Sequence, residues 1–181
     1  MDVEEVRTNN TGRDRKSAYA TADDFCAIFN RDTKSLYALA LLLTGDPRTA
    51  ELSFFSALSE CTAAKGVFRP WTRSWTRIAI IKNAVRLTKP KFSATGDQAA
   101  HIAVKNLHAA AAPILRLCAF DRFVFVLSVL DWYSVRDCAV LLKSTLQEVE
   151  IAKERALQFV GGAAAHLFSP PPPRFRQRLA I

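Results

Sequence analysis

Apolar residues recur along the chain at helical spacing, in blocks separated by polar, glycine- or proline-marked breaks. Phe25, Ile28 and Phe29 open the first block, with Asp23 or Asp24 placed to cap it. Leu36 to Leu43 is apolar nearly all round, which predicts a helix at the centre of a core. Gly45 suits the left-handed position that ends a helix, Asp46 can cap the next one, and Pro47 fits its first turn. That helix is expected from Pro47 to about Ala64, with Leu52, Phe55, Ala57 and Leu58 inward and Gly66 breaking it. In Val67 to Leu87, Ile78, Ile81 and Val85 form an apolar face. Trp71 and Trp75 share one stripe, with at least one expected in the core, and Arg69, Arg73 and Arg77 share another.

From Lys89 to about Ala112 the periodicity fails, and Pro90 and Gly96 mark a linker. Pro113 can open a second block, in which an apolar helix begins near Phe120. A short helix, Val135 to Leu142, follows behind a Ser134 cap. After the turn Lys143-Ser144-Thr145, a second helix is expected from Gln147 to Val160, capped by Ser144 or Thr145. Its inward residues are expected to be Val149, Ala152, Ala156, Leu157 and Val160. Its outward ones are Gln147, Glu148, Glu150, Ile151, Lys153, Glu154 and Arg155. Gly161-Gly162 is expected to end it, before the Pro170–Pro173 run and a basic tail.

No period-2 pattern of useful length occurs, so the fold class is all-α: two small helical domains joined by a flexible linker. The expected divisions are a disordered N-terminus over 1–20, a helical domain over 21–88, a linker over 89–112, a helix-turn-helix domain over 113–161 and a proline-rich basic tail over 162–181. Core candidates are Leu39, Leu43 and Leu52 in the first, and Phe123, Phe125, Leu127 and Leu142 in the second.

Charge and cysteine content narrow the function. A net charge of +8 favours polyanionic partners such as nucleic acid. The four cysteines, Cys26, Cys61, Cys118 and Cys138, lie far apart without metal-ligand spacing, and are expected as reduced core residues in a cytoplasmic protein. The first residues lack the apolar stretch of a signal peptide, and no apolar run reaches the roughly 18 residues of a membrane span. His101, His108 and His166 have no triad or metal partners at suitable spacing, and no nucleotide-binding glycine motif occurs. No catalytic activity, metal or cofactor is expected.

The helix-turn-helix order points to a device for placing one helix in a DNA groove, although an ordinary helical hairpin shares the pattern. The reading helix carries Glu148, Glu150 and Glu154 against Lys153 and Arg155, which works against phosphate attraction. A glutamate can accept a hydrogen bond from cytosine N4.

Taken together, the two blocks resemble an extracytoplasmic-function sigma factor, the two-domain type of bacterial promoter-specificity subunit. The first block carries Leu36, Ala40, Leu43-Thr44-Gly45-Asp46-Pro47, Ala50-Glu51, Trp75 and Asn83. The second carries Arg122, Val124-Phe125, Leu127, Tyr133-Ser134, Asp137, Ala139, Leu142, Val149 and Arg155-Ala156-Leu157. The resemblance covers roughly residues 24 to 160. It implies a region 2-like domain that meets the β′ subunit of core RNA polymerase through Glu51, Leu52 and Phe55. The same domain would hold the melted minus-ten strand through Arg73, Trp75, Arg77, Lys82, Asn83 and Arg86. It implies a region 4-like domain that contacts the minus-thirty-five element through Lys143, Ser144, Thr145, Gln147, Glu148, Ile151, Lys153 and Arg155. The implied partners are promoter DNA, polymerase core and an anti-sigma or other protein regulator. Where the family continues from Ala50-Glu51 with an acid and an amide, this chain has Leu52-Ser53-Phe54-Phe55. The alternative function is therefore a sigma-derived protein-interaction module that has lost polymerase or DNA binding.

Overall fold

The structure is a computed structural model that describes residues 18–95 and 111–168, the last five of these for their backbone only. It is all-α: among the described residues the only strand-like pairing is one isolated bridge between Tyr19 and Phe68. Among the described residues seven α-helices follow one another. They are α1 (Ala22–Thr44), α2 (Pro47–Ala63), α3 (Thr72–Thr88), α4 (Ala112–Arg116), α5 (Ala119–Phe125), α6 (Val135–Leu142) and α7 (Leu146–Phe168).

The cap of α1 is Thr21 rather than either aspartate. Its hydroxyl accepts from the Asp24 amide, and the Asp24 carboxylate accepts in return from the Thr21 amide at 2.8 Å. This reciprocal arrangement satisfies two amides that the helix leaves unpaired. Residues 18–20, expected in a disordered end, instead pair with the α2–α3 loop: Ala20 N donates to Val67 O and Arg69 N to Ala18 O. Residues 1–17 lie outside the described part.

α1 ends as its sequence predicts, at Gly45 with φ 71°, and α2 starts with the Asp46 carboxylate accepting from the Thr49 amide at 2.8 Å. The buried face of α2 differs from the expected one. Leu52 and Phe55 are 59 % and 64 % exposed, while Ala50, Ser53, Phe54, Ala57 and Cys61 are buried. Small residues at positions 50, 53, 57 and 61 let α2 approach α1 and α3 closely, and Phe54 fills the remaining gap edge-on to Phe29 at 5.1 Å. Large apolar residues off that stripe are left in solvent.

α5 continues into a π-helical turn, Val126–Leu130, and everything from Phe120 to Ser128 is buried. All the core candidates of this half, Phe123, Phe125, Leu127 and Leu142, are buried, as are Leu39 and Leu43 in the first half. α7 does not stop at Gly161-Gly162. It runs to Phe168, its glycines facing open space. A glycine inside a helix is disfavoured by only ~1 kcal/mol against alanine, which does not end a helix on its own. Leu157, expected inward, is exposed, while Val149, Ala152 and Ala156 are buried.

Apolar side chains of α1–α3 and of α4–α7 merge in one hydrophobic core. Arg122 of α5 donates to Leu43 O and Thr44 O at the end of α1, and Arg77 of α3 pairs with Asp131 after the π turn. The first part of the expected linker also packs: Pro90 is buried and Phe92 lies edge-on to Phe120 at 5.6 Å. Residues 96–110 of that linker lie outside the described part. No described helix is long and apolar enough to cross a membrane.

Candidate nucleic-acid interface

Local hydrogen bonding builds the helix-turn-helix. Ser134 caps α6 in a reciprocal pair with Asp137, at 3.1 Å from hydroxyl to amide. Lys143 then takes a left-handed conformation, φ 54°, and Ser144 N donates back to Ala139 O at 3.0 Å. α7 begins under a second reciprocal pair: Glu148 accepts from the Thr145 amide at 2.8 Å and from its hydroxyl at 3.0 Å. Two capped helices are thus joined through a turn that spends a single residue in the left-handed region.

These bonds decide which expected contacts face solvent. Lys143, Thr145, Gln147 and Ile151 are exposed. The Ser144 hydroxyl is buried without a hydrogen-bond partner. Glu148 is held back on Thr145, which removes one of the three reading-helix carboxylates from the outer face. Lys153 is half-buried. Arg155, expected outward, turns inward. Its Nε and Nη2 donate to both Asp121 oxygens at 2.6 Å, and Nη1 donates to Ser93 O at 2.9 Å. The bidentate carboxylate raises the Arg155 pKa still further, so the group is a permanently charged structural brace. The outer face of α7 that remains is Gln147, Glu150, Ile151, Glu154, Leu157 and Gln158.

The downstream set divides in the same way. Both tryptophans expected on α3 are exposed, so neither is core, and Trp71 belongs to a 3-10 turn (Arg69–Trp71) that precedes the helix. Phe68 stands edge-on to Trp71 at 5.6 Å. Arg73 is exposed, with its Nε 3.1 Å from Asp32. Lys82 and Arg86 are exposed. Asn83 is 4 % exposed, and its amide donates to Glu60 and to Ala79 O, both at 2.9 Å, which withdraws it from any strand contact. Arg77 is engaged by Asp131. In the polymerase set, Glu51, Leu52 and Phe55 all lie on the outer face of α2.

One exposed aromatic escaped the reading of periodicity. Trp132 is 87 % exposed with φ 60°, a conformation disfavoured for a bulky side chain. It occupies the position after the π turn that glycine usually takes, and Tyr133 N closes that end by donating to Leu127 O at 2.9 Å. Its one sequence signal is that an indole directly follows an apolar helix and precedes a cap.

The cysteines are less uniform than expected. Cys61 and Cys138 are buried, and burial pushes both thiols up to about 11. Cys118 is half-buried and Cys26 is exposed. Among the described residues no group of three His, Cys, Asp or Glu side chains comes together to hold a metal. No protein-family model matches the chain, and no curated protein matches it.

Proposed function

We propose that this chain is a sigma-factor-like transcription regulator that binds promoter DNA, together with RNA polymerase core, in the cytoplasm. The observation that carries the reading is the doubly capped helix-turn-helix, whose turn and second helix present the exposed Lys143, Thr145 and Gln147. In this geometry a helix enters the major groove by its first turns. A second surface supports the same reading. Trp71, Arg73 and Trp75 are all exposed within one short segment, and aromatic side chains together with cations suit a melted single strand. In this reading, residues 21–88 carry the polymerase and downstream contacts and residues 113–161 the upstream ones, on the hydrophobic core they share. Glu51, Leu52 and Phe55 meet the polymerase. No catalytic step is part of the activity.

A specific observation favours a second reading. The outer face of α7 retains Glu150 and Glu154 with exposed Ile151 and Leu157, and α2 exposes Leu52 and Phe55. Carboxylates repel phosphate, and exposed apolar side chains suit a protein surface. Under it the fold is a sigma-derived interaction module whose partner is another protein, such as an anti-sigma regulator.

Selection from a genomic fragment library, with the purified chain alone and with core polymerase, separates the two. Recovered duplexes that share a motif, bound with a steep salt dependence, support the first reading. No duplex retained at low salt under either condition overturns it.

A further inference from the structure

The C-terminal half of α3 and the end of α6 enclose a groove of about 660 Å³ whose apolar floor the proposed function does not use. Its rim carries Lys82, Arg86, Lys89, Lys91 and Lys143. Its floor is aliphatic, Val85, Pro90, Leu141 and Leu142, with Val140 at the edge. Among the described residues, neither a carboxylate nor an aromatic ring lines it. Lys89 and Lys143 end helices, where a cation is favourable without any ligand, but five cations around one apolar floor exceed that need.

We propose that this groove docks an acidic amphipathic helix of a partner protein. Charge complementarity selects an anion with several negative groups, since one carboxylate or phosphate would leave most of the rim unpaired. Lys82, Arg86 and Lys89 follow one another at i, i+4 and i+7, a stripe about 10 Å long that matches acids at the same spacing on a partner helix. The aliphatic floor suits leucine-type side chains at i, i+3 and i+4, the usual anchors of a helix in a groove. A single nucleic-acid strand would look for stacking faces, and the groove has none. Val140 stands 73 % exposed at the edge, an apolar side chain left for a partner to cover.

The groove shares Lys82, Arg86 and Lys143 with the proposed DNA surfaces, whereas Lys89 and Val140 belong to neither, so variants at these two positions test the groove separately from promoter binding. The probe is a fluorescent synthetic helix of about 18 residues, built of glutamate and leucine with the leucines on one stripe. A scrambled peptide of the same composition and a single-stranded oligonucleotide serve as comparators. The patterned helix should bind the full chain roughly ten-fold more tightly than the scrambled one. Lys89→Glu and Val140→Asp should each weaken it by a similar factor, with melting temperatures unchanged, since both side chains are exposed. Equal affinity for the two peptides would reduce the groove to a nonspecific cationic patch. Undiminished binding in both variants, or an oligonucleotide that binds there in preference to the helix, would overturn the proposal.

Discussion

The guanidinium of Arg122 lies so close over Gly45 that a methyl group there would stand 2.7 Å from its Cζ. It donates to Leu43 O at 3.1 Å, Thr44 O at 2.8 Å and Leu117 O at 3.0 Å. Burial lowers its pKa, and its partners are carbonyls rather than carboxylates, two of them at the negative end of α1. One residue therefore finishes the first helix and joins the two groups of helices. Gly45→Ala should lower stability by ~1–3 kcal/mol, from left-handed strain plus displacement of the guanidinium. Arg122→Leu strands several buried carbonyls and should lose about 3–5 kcal/mol. Denaturant unfolding measures both, and an unchanged midpoint in Arg122→Leu would show that the junction is not held there.

Arg155 and Asp121 form the second brace, with the carboxylate 3 % exposed. Arg155→Ala leaves that charge buried and unpaired, and should cost ~3–5 kcal/mol. A residue contacting DNA from a helix surface would instead cost little stability. Thermal melting of Arg155→Ala decides between the two roles, and a wild-type melting temperature would return Arg155 to the outer face.

Trp132 holds a left-handed backbone that glycine adopts without strain. Trp132→Gly should raise stability by about 0.5–1 kcal/mol. If the exposed indole belongs to a strand- or partner-binding surface, the same variant should bind more weakly. A drop in both stability and binding would mean that the ring packs rather than waits for a partner.

On the upstream surface, Gln147→Ala should relax sequence preference by ~1–3 kcal/mol at a single base position while leaving nonspecific affinity unchanged. Lys153→Glu should weaken duplex binding at all sequences and make its salt dependence shallower. Titrations against matched and mismatched duplexes at two salt concentrations read both effects, and unchanged behaviour in the pair would remove α7 from the DNA surface.

The buried thiols set an alkaline limit. Cys61 and Cys138 have pKa values raised by burial from 9.0 to about 11, so they favour the folded state below pH 9. That contribution is lost as pH rises through 11. At the acid end, Thr49 holds the Asp46 carboxyl below its usual 3.8 by hydrogen bonding. Its stabilisation is present above that pH and lost as pH falls through the lower folded value. A thiol-labelling reagent should modify the exposed Cys26 first and the two buried groups only on unfolding. Rapid reaction of all the cysteines in the native protein would contradict the burial.

Much of the helical order was legible in the chain because capping and periodicity are local. Gly45, Asp46-Pro47, Pro113 and Ser134 act within one helical turn, and their elements begin or end where these residues place them. The uniformly apolar stretch around Phe123 to Leu127 had nowhere to go but inside. The faces of the helices were a different matter. Nothing in the spacing of α2 told Phe54 from Phe55, because that choice depends on how closely α1 and α3 approach. Arg155 and Asn83 looked like surface groups because their partners lie 34 and 23 residues away, in Asp121 and Glu60. The groove of cations exists only because α3 and α6 meet. Short-range hydrogen bonds and apolar spacing thus determined by themselves that the chain is helical and roughly where each helix begins. Which side chains remain free to meet a partner was decided only by tertiary packing, since a charge is committed or available according to what the fold brings within hydrogen-bonding distance.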